Sequence, residues 1–311
     1  MLTLLFSDRP QRWPKFEAPL RAALDASEIG PYRLSDNADP AEVDYIIFSP
    51  SGGLRDFTPF TKLKAVLSLW AGVESIVGND TLRVPLTRMV DQGLSEGMVE
   101  WVTGHVLRHH LGMDQHILEQ DGDWRGHITP PLARDRQVAI LGLGALGQAC
   151  AEMLVALNFQ VSGWSRSPKS IAGMRCFHGE DGLREVLASA EICVLLLPNT
   201  PHTENTLDAA ALGLMPQGAI ILNPGRGPLI DDDALLESLN SGHIGHATLD
   251  VFRQEPLPSE HPFWSHPRIT VTPHIAAETR AATTATVIAE NIRRNEAGEP
   301  MRFLVDRDLQ Y

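Results

Sequence analysis

Three short apolar runs mark the first third of the chain: LTLLF (2–6), DYIIFSP (44–50) and KAVLSLWAG (64–72). Each ends in turn-forming residues, and stretches with helical spacing lie between them. Strands that alternate with helices in this way predict an α/β fold. From Ser95 to about Gln120 the chain lacks proline and reads as one long helix. A second series follows: RQVAILGLG, QVSGW, EICVLLLP, GAIILNP, HATLDVF and RITVTPH. These segments are apolar nearly throughout, as parallel strands covered on both faces must be. The stretch 278–298 reads as a closing helix. The pattern predicts two Rossmann-like domains with parallel sheets. A cofactor domain at 98–278 is inserted into a smaller, flavodoxin-like substrate domain made of 1–97 and 279–311.

Composition narrows the partners. A formal net charge of −13 over 311 residues argues against nucleic acid and against a basic membrane-surface protein. No run approaches the roughly eighteen apolar residues of a membrane span. The N-terminus lacks the basic region and cleavage site of a signal peptide and reads as a strand and turn. Three cysteines without a Cys-x-x-Cys pair point to reduced thiols in the cytoplasm, and no metal site is expected.

Gly142, Gly144 and Gly147 form Gly-x-Gly-x-x-Gly between the strand VAIL and the helix-forming ALGQACAEMLVAL. In that setting the glycines allow a tight turn, approach of the pyrophosphate and close helix packing, with the helix N-terminus facing the phosphates. The next strand then usually ends in an acid that holds the adenosine ribose. Here it ends in Ser165, Arg166 and Ser167, with Lys169 close by. Hydroxyls and a guanidinium suit a 2′-phosphate, so NADP(H) is expected over NAD(H), the alternative being a merely solvated loop. Trp164 beside them reads either as core or as a flank to the adenine.

Downstream, Arg226 sits between two glycines, Asp250 and Glu255 follow one strand, and His274 follows the last. Ligands of open parallel sheets bind outside the carboxyl ends of the strands. A histidine can deliver a proton near neutral pH, and an arginine fork can hold a carboxylate and polarise a carbonyl.

With LGLGALG, GWSRSPKS, LLLPNTPHTENTL, LNPGRG, LDVFRQEPLP and VTPHIAA, the chain resembles the D-isomer-specific 2-hydroxyacid dehydrogenase family. The likeness extends from LSLWAGVESIV near the start to the closing VDRDLQY. It implies NADP(H)-dependent reduction of small 2-keto acids such as glyoxylate and hydroxypyruvate, in a homodimer. Arg226 is then the substrate anchor, His274 the acid–base residue, Glu255 its partner and Asp250 the nicotinamide carboxamide contact. Ala145, Leu146, Pro198 and Asn199 join the cofactor residues. Trp70, Ala71 and Gly72 offer backbone N–H groups to the substrate carboxylate, with plain core the other reading of Trp70. The loop SPSGGL (49–54) is a further candidate lining segment. Pro224 departs from the family pattern, which has no proline before the glycine, and removes a backbone N–H. His105, His109, His110 and His116 lack the carboxylate of a His-Glu-x-x-His site and read as a helix face or dimer contact. The rivals are a relative that takes a larger 2-keto acid or NAD, and a dinucleotide-sensing scaffold without turnover.

Overall fold

The computed structural model describes residues 1–118 and 120–307. Position 119 and the last four residues of VDRDLQY therefore lie outside the described residues. The chain divides into two compact units, one of residues 1–94 and 279–311, the other of 95–278.

The first unit contains β1 (Leu2–Ser7), α1 (Trp13–Ala26), β2 (Tyr32–Ser35), β3 (Tyr45–Phe48), β4 (Ala65–Ser68) and β5 (Leu86–Thr87). All pairs are parallel, in the order β2-β1-β3-β4-β5, the flavodoxin-like arrangement. β3 and β4 are buried at every position, which explains their unbroken apolar runs.

The helix expected from Ser95 to Gln120 is two helices, α2 (Gln92–His110) and α3 (Met113–Leu118). Gly112 between them takes a left-handed conformation (φ +61°), a backbone signal that ends a helix.

The second unit continues with β6 (Gln137–Leu141), α4 (Ala145–Ala156), β7 (Gln160–Ser165), β8 (Arg175–His178), α5 (Gly179–Ser189) and β9 (Ile192–Leu195). Then come α6 (Ala209–Leu214), β10 (Ala219–Asn223), α7 (Asp232–Ser241), β11 (Ile244–Leu249) and β12 (Ile269–Val271). The sheet order is β12-β11-β10-β9-β6-β7-β8, all parallel. This is the doubly wound order with one added edge strand, and it reverses direction between β6 and β9. Alternate residues of β6 feed opposite cores: Ala139 and Leu141 join α5, α6 and α7, whereas Val138 and Ile140 join α2 and α4. On α2 that face is Met98, Val102 and Val106, spaced four apart. The remaining helix, α8 (Ala281–Glu296), belongs to the first unit and packs on α1.

Three of the four α2–α3 histidines do not form an outer helix face. His109 bonds Thr248 Oγ1 through Nε2 at 2.9 Å and stacks on His246 at 4.9 Å, and His246 Nε2 contacts Thr270 Oγ1 at 2.9 Å. Burial, reinforced by His246 and then Arg108, pushes His109 down to about 3, and burial with Arg108 pushes His246 to about 4, so both are neutral packing groups near pH 7. His110 is buried edge-on to Phe159, and His105 stacks on Trp101. His116 alone of the four is exposed. No helix among the described residues is long and apolar enough to cross a membrane. Burial pushes the Cys150 and Cys193 thiols up to about 12, which makes them unreactive.

Candidate active site

The glycine turn leaves β6 at its carboxyl end. Gly142 has φ +109°, and a Cβ there would stand 2.5 Å from the Leu196 carbonyl oxygen. A Cβ at Gly147 would overlap the Gly142 carbonyl, so only glycine lets α4 press onto the strand end. Gly144 differs from both. It is exposed, and a Cβ would meet no atom within 4 Å. No side chain caps α4 at Gly144, and the N–H groups of Ala145 and Leu146, at the positive end of the helix, are taken by no hydrogen bond among the described residues. An uncapped N-terminus behind an open glycine fits a dinucleotide pyrophosphate.

At the end of β7, Ser165 is 7% exposed and its hydroxyl donates to the Ser167 carbonyl at 2.8 Å. Ser165 therefore shapes the turn, leaving Arg166, Ser167 and Lys169 as the exposed polar groups. No acid stands between Arg166 and Ser170. Trp164 is resolved: its indole N–H donates to the Gly179 carbonyl at 2.8 Å and its ring packs on the core. Pro198 and Asn199 lie half-buried after β9, where Thr203 Oγ1 donates to the Pro198 carbonyl at 2.7 Å and accepts from the Thr200 N–H.

Arg226, Glu255 and His274 leave the carboxyl ends of β10, β11 and β12. His274 Nδ1 meets Glu255 Oε2 at 2.7 Å, and Glu255 Oε1 accepts the Phe252 N–H at 2.9 Å. Burial pushes the Glu255 carboxyl up, but the bonds from His274 and Phe252 and the charge of Arg226 outweigh it and hold the group below its ordinary value. An ionised Glu255 fixes the proton of His274 on Nδ1 and leaves Nε2 for a ligand. The Arg226 loop is clamped by Asn223, whose amide nitrogen donates to the Arg226 carbonyl at 2.9 Å and whose oxygen accepts the Gly225 N–H at 3.1 Å. Asn223 is 1% exposed and compensates locally for Pro224, which has no N–H to offer. A Cβ at Gly227 would overlap the Phe252 backbone, so glycine there lets the Arg226 loop lie against the loop of Glu255.

His274 takes a left-handed backbone conformation, φ +54°. For a residue with a Cβ that costs roughly 1–2 kcal/mol, and the surrounding bonds must hold it. Its N–H donates to the Asp250 carbonyl at 2.8 Å. The Asp250 carboxylate, fully buried, accepts from Thr272 Oγ1 at 2.6 Å, the Ile275 N–H at 2.9 Å and the Ala276 N–H at 2.9 Å. Asp250, expected to contact the nicotinamide, thus has both oxygens turned onto the His274 loop.

In the first unit, β4 runs into Leu69–Gly72. The Trp70 N–H is taken by Ser68 Oγ at 3.0 Å, so it is not a donor for substrate, and its side chain is exposed rather than core. The Ala71 and Gly72 N–H groups are taken by no hydrogen bond among the described residues. The SPSGGL loop packs tightly on the end of β1, where Ser51 Oγ donates to Asp8 Oδ1 at 2.8 Å. A Cβ at Gly52 would stand 2.8 Å from the Ser7 and Asp8 backbone. Asn223, Ser68 and Thr272 carry no catalytic signature in the sequence. Their signal was only a polar residue at a strand end, which is common in turns. Among the described residues no group of three or more His, Cys, Asp or Glu could hold a metal.

Residues 102–276, more than half of the chain, match the model of the D-isomer specific 2-hydroxyacid dehydrogenase NAD binding domain. A glyoxylate/hydroxypyruvate reductase A of Serratia proteamaculans is 40% identical over 258 residues, 80% of this chain and 82% of that protein. One of Yersinia enterocolitica is 36% identical over 305 residues, covering 94% and 96%. A D-isomer specific 2-hydroxyacid dehydrogenase of Xanthobacter autotrophicus Py2, solved with NADPH and MES, superposes with TM-score 0.89 at 40% identity and 99% coverage of both chains. An NADPH-dependent glyoxylate/hydroxypyruvate reductase of Sinorhizobium meliloti, solved with NADP and sulfate, gives 0.87 at 33% identity, covering 100% and 99%.

Proposed function

The chain belongs to the D-isomer specific 2-hydroxyacid dehydrogenase family, and from that premise we propose that it reduces glyoxylate and hydroxypyruvate with NADPH. The observation that carries this reading is the 2.7 Å His274–Glu255 pair, with Arg226 near enough to lower the Glu255 carboxyl, at the ligand-binding end of the sheet. When bound, NADPH supplies the hydride that C2 of the keto acid receives. His274 gives the carbonyl oxygen a proton from Nε2, while Glu255 accepts from Nδ1 and stabilises the charged ring. Arg226 holds the substrate carboxylate and polarises the carbonyl.

The test follows nicotinamide absorbance with glyoxylate, hydroxypyruvate and pyruvate, each with NADPH and with NADH. Turnover on the first two with NADPH is the expected result. Dinucleotide binding without turnover on any of the three would establish the scaffold instead. Arg166 and Ser167 favour the 2′-phosphate, with no acid to repel it. Replacing Arg166 with Asp removes a charge-assisted bond and adds repulsion. The NADPH over NADH preference in kcat/KM should fall about ten- to a hundredfold, and an unchanged ratio refutes this account.

The protein acts as a homodimer in the cytoplasm on this reading. Ile117, Leu118, Trp124 and Leu132 are apolar side chains 57–94% exposed, suited to a second copy. Light scattering should give twice the chain mass, and Trp124→Glu should lower it; a monomeric wild type overturns the assignment.

A further inference from the structure

We propose that Arg253 is a positioning residue that holds the loops of Arg226 and Glu255 at a fixed spacing, so that Arg226 and His274 meet one 2-keto acid together. The inference rests on the reading of Arg226 and the His274–Glu255 pair as the reacting groups.

Arg253 stands between Phe252, whose N–H donates to Glu255 Oε1, and Glu255 itself. Its guanidinium reaches the stretch that follows Arg226. Nη2 donates to the Ile230 carbonyl at 2.7 Å and to the Asn205 side-chain oxygen, with the Pro228 carbonyl at 3.4 Å. Nη1 donates to Glu204 Oε1 at 3.3 Å, and Nε stands 3.7 Å from Asp232 Oδ1. One side chain thereby joins three loops: that of Glu255 after β11, that of Arg226 after β10, and the one that carries Pro198 and Asn199 after β9. Its partners are braced in turn. The Asn205 N–H donates to the Pro228 carbonyl at 2.8 Å, and Leu207 bonds Leu229 and Asp231 through its backbone at 3.0 and 3.1 Å. Asn205 holds a left-handed backbone, φ +52°, a conformation that persists only where neighbours over-determine it. A Cβ at Gly227 would overlap the Arg253 backbone nitrogen, so the two loops also touch directly. A planar guanidinium suits this task because it binds several oxygens in fixed directions. The Arg253 side chain is 33% exposed, so it is not part of the buried core. Arg226 and His274 must meet the same substrate, and the spacing of these loops sets how they do so. Small misplacements of such groups cost rate steeply.

Arg253→Met keeps the apolar stem and removes the donors. It should lower kcat for glyoxylate about tenfold, with the NADPH dissociation constant within about threefold of wild type. Arg253→Lys supplies a point charge in place of the fork and should recover part of the loss. A double-mutant cycle with Arg226→Lys then separates positioning from support of the fold. If Arg253 aims the Arg226 fork, Arg253→Met should cost less than about threefold in kcat/KM once that fork is a lysine. A merely structural role makes the two losses multiply, and that outcome overturns the proposal. So does wild-type kcat in Arg253→Met. Amide exchange across 226–231, followed by mass spectrometry, should speed up about tenfold in Arg253→Met, with 137–156 unchanged. Exchange needs no turnover. A wild type inactive on 2-keto acids therefore fails the functional reading, whereas unchanged exchange in Arg253→Met fails the clamp.

Discussion

Replacing His274 with alanine should lower kcat for glyoxylate about a thousandfold, within the range of a lost general acid. NADPH binding should stay within about twofold, because the glycine turn and the end of β7 lie on other strands. Stopped-flow turnover and NADPH fluorescence titration separate the two effects. A variant that keeps more than about a tenth of wild-type kcat sinks the role. The pH dependence follows from the pair. Reduction needs His274 protonated and Glu255 ionised. Falling pH protonates Glu255 and ends its acceptance from Nδ1. Because that carboxyl is held below its ordinary value, the acid limb of kcat/KM should lie below the range of a free glutamate.

The second large effect belongs to Arg226. Leucine there removes the fork that grips the carboxylate and the charge that polarises the carbonyl. KM should rise and kcat should fall, with kcat/KM lower by about a thousandfold. Lysine restores a point charge but not the planar pair of donors, and it should remain at least about tenfold below wild type. The Asn223 clamp acts on the backbone of Arg226, not on its guanidinium, so neither substitution should change thermal stability much. Full activity in the lysine variant would show that charge alone is enough.

Much of the site was legible because its signals are local. Gly142, Gly144 and Gly147 stand directly between a buried strand and a helix, and each meets a different constraint there: positive φ, open space and overlap. Arg166 follows β7 directly, where a carboxylate would be read just as easily. Other roles depend on where a polar group turns, whether onto a near neighbour or across the sheet. Ser165 reads as a phosphate donor until its hydroxyl is seen turned onto Ser167. Trp70 reads as offering an N–H until Ser68 is seen to take it. His109 reads as a helix face or dimer contact until β11 brings Thr248 and His246 against it. The break at Gly112 was hidden because one glycine in a helical pattern costs little unless the chain turns there.

Read without its structure, the chain already shows two α/β units with parallel sheets, through apolar runs too continuous for one-sided strands, and the dinucleotide turn, through glycines whose spacing is set by local sterics. It also set the chemistry at the end of β7, since that depends on which side chains follow one strand. How the candidate reacting groups are held emerges only when the chain is folded. Glu255 meets His274 across 19 positions, and Asp250 reaches Ala276 across 26. Such bonds depend on which strands become neighbours and where each one ends. Hydrogen bonding acts over about 3 Å of space, and the order of residues along the chain does not encode that distance.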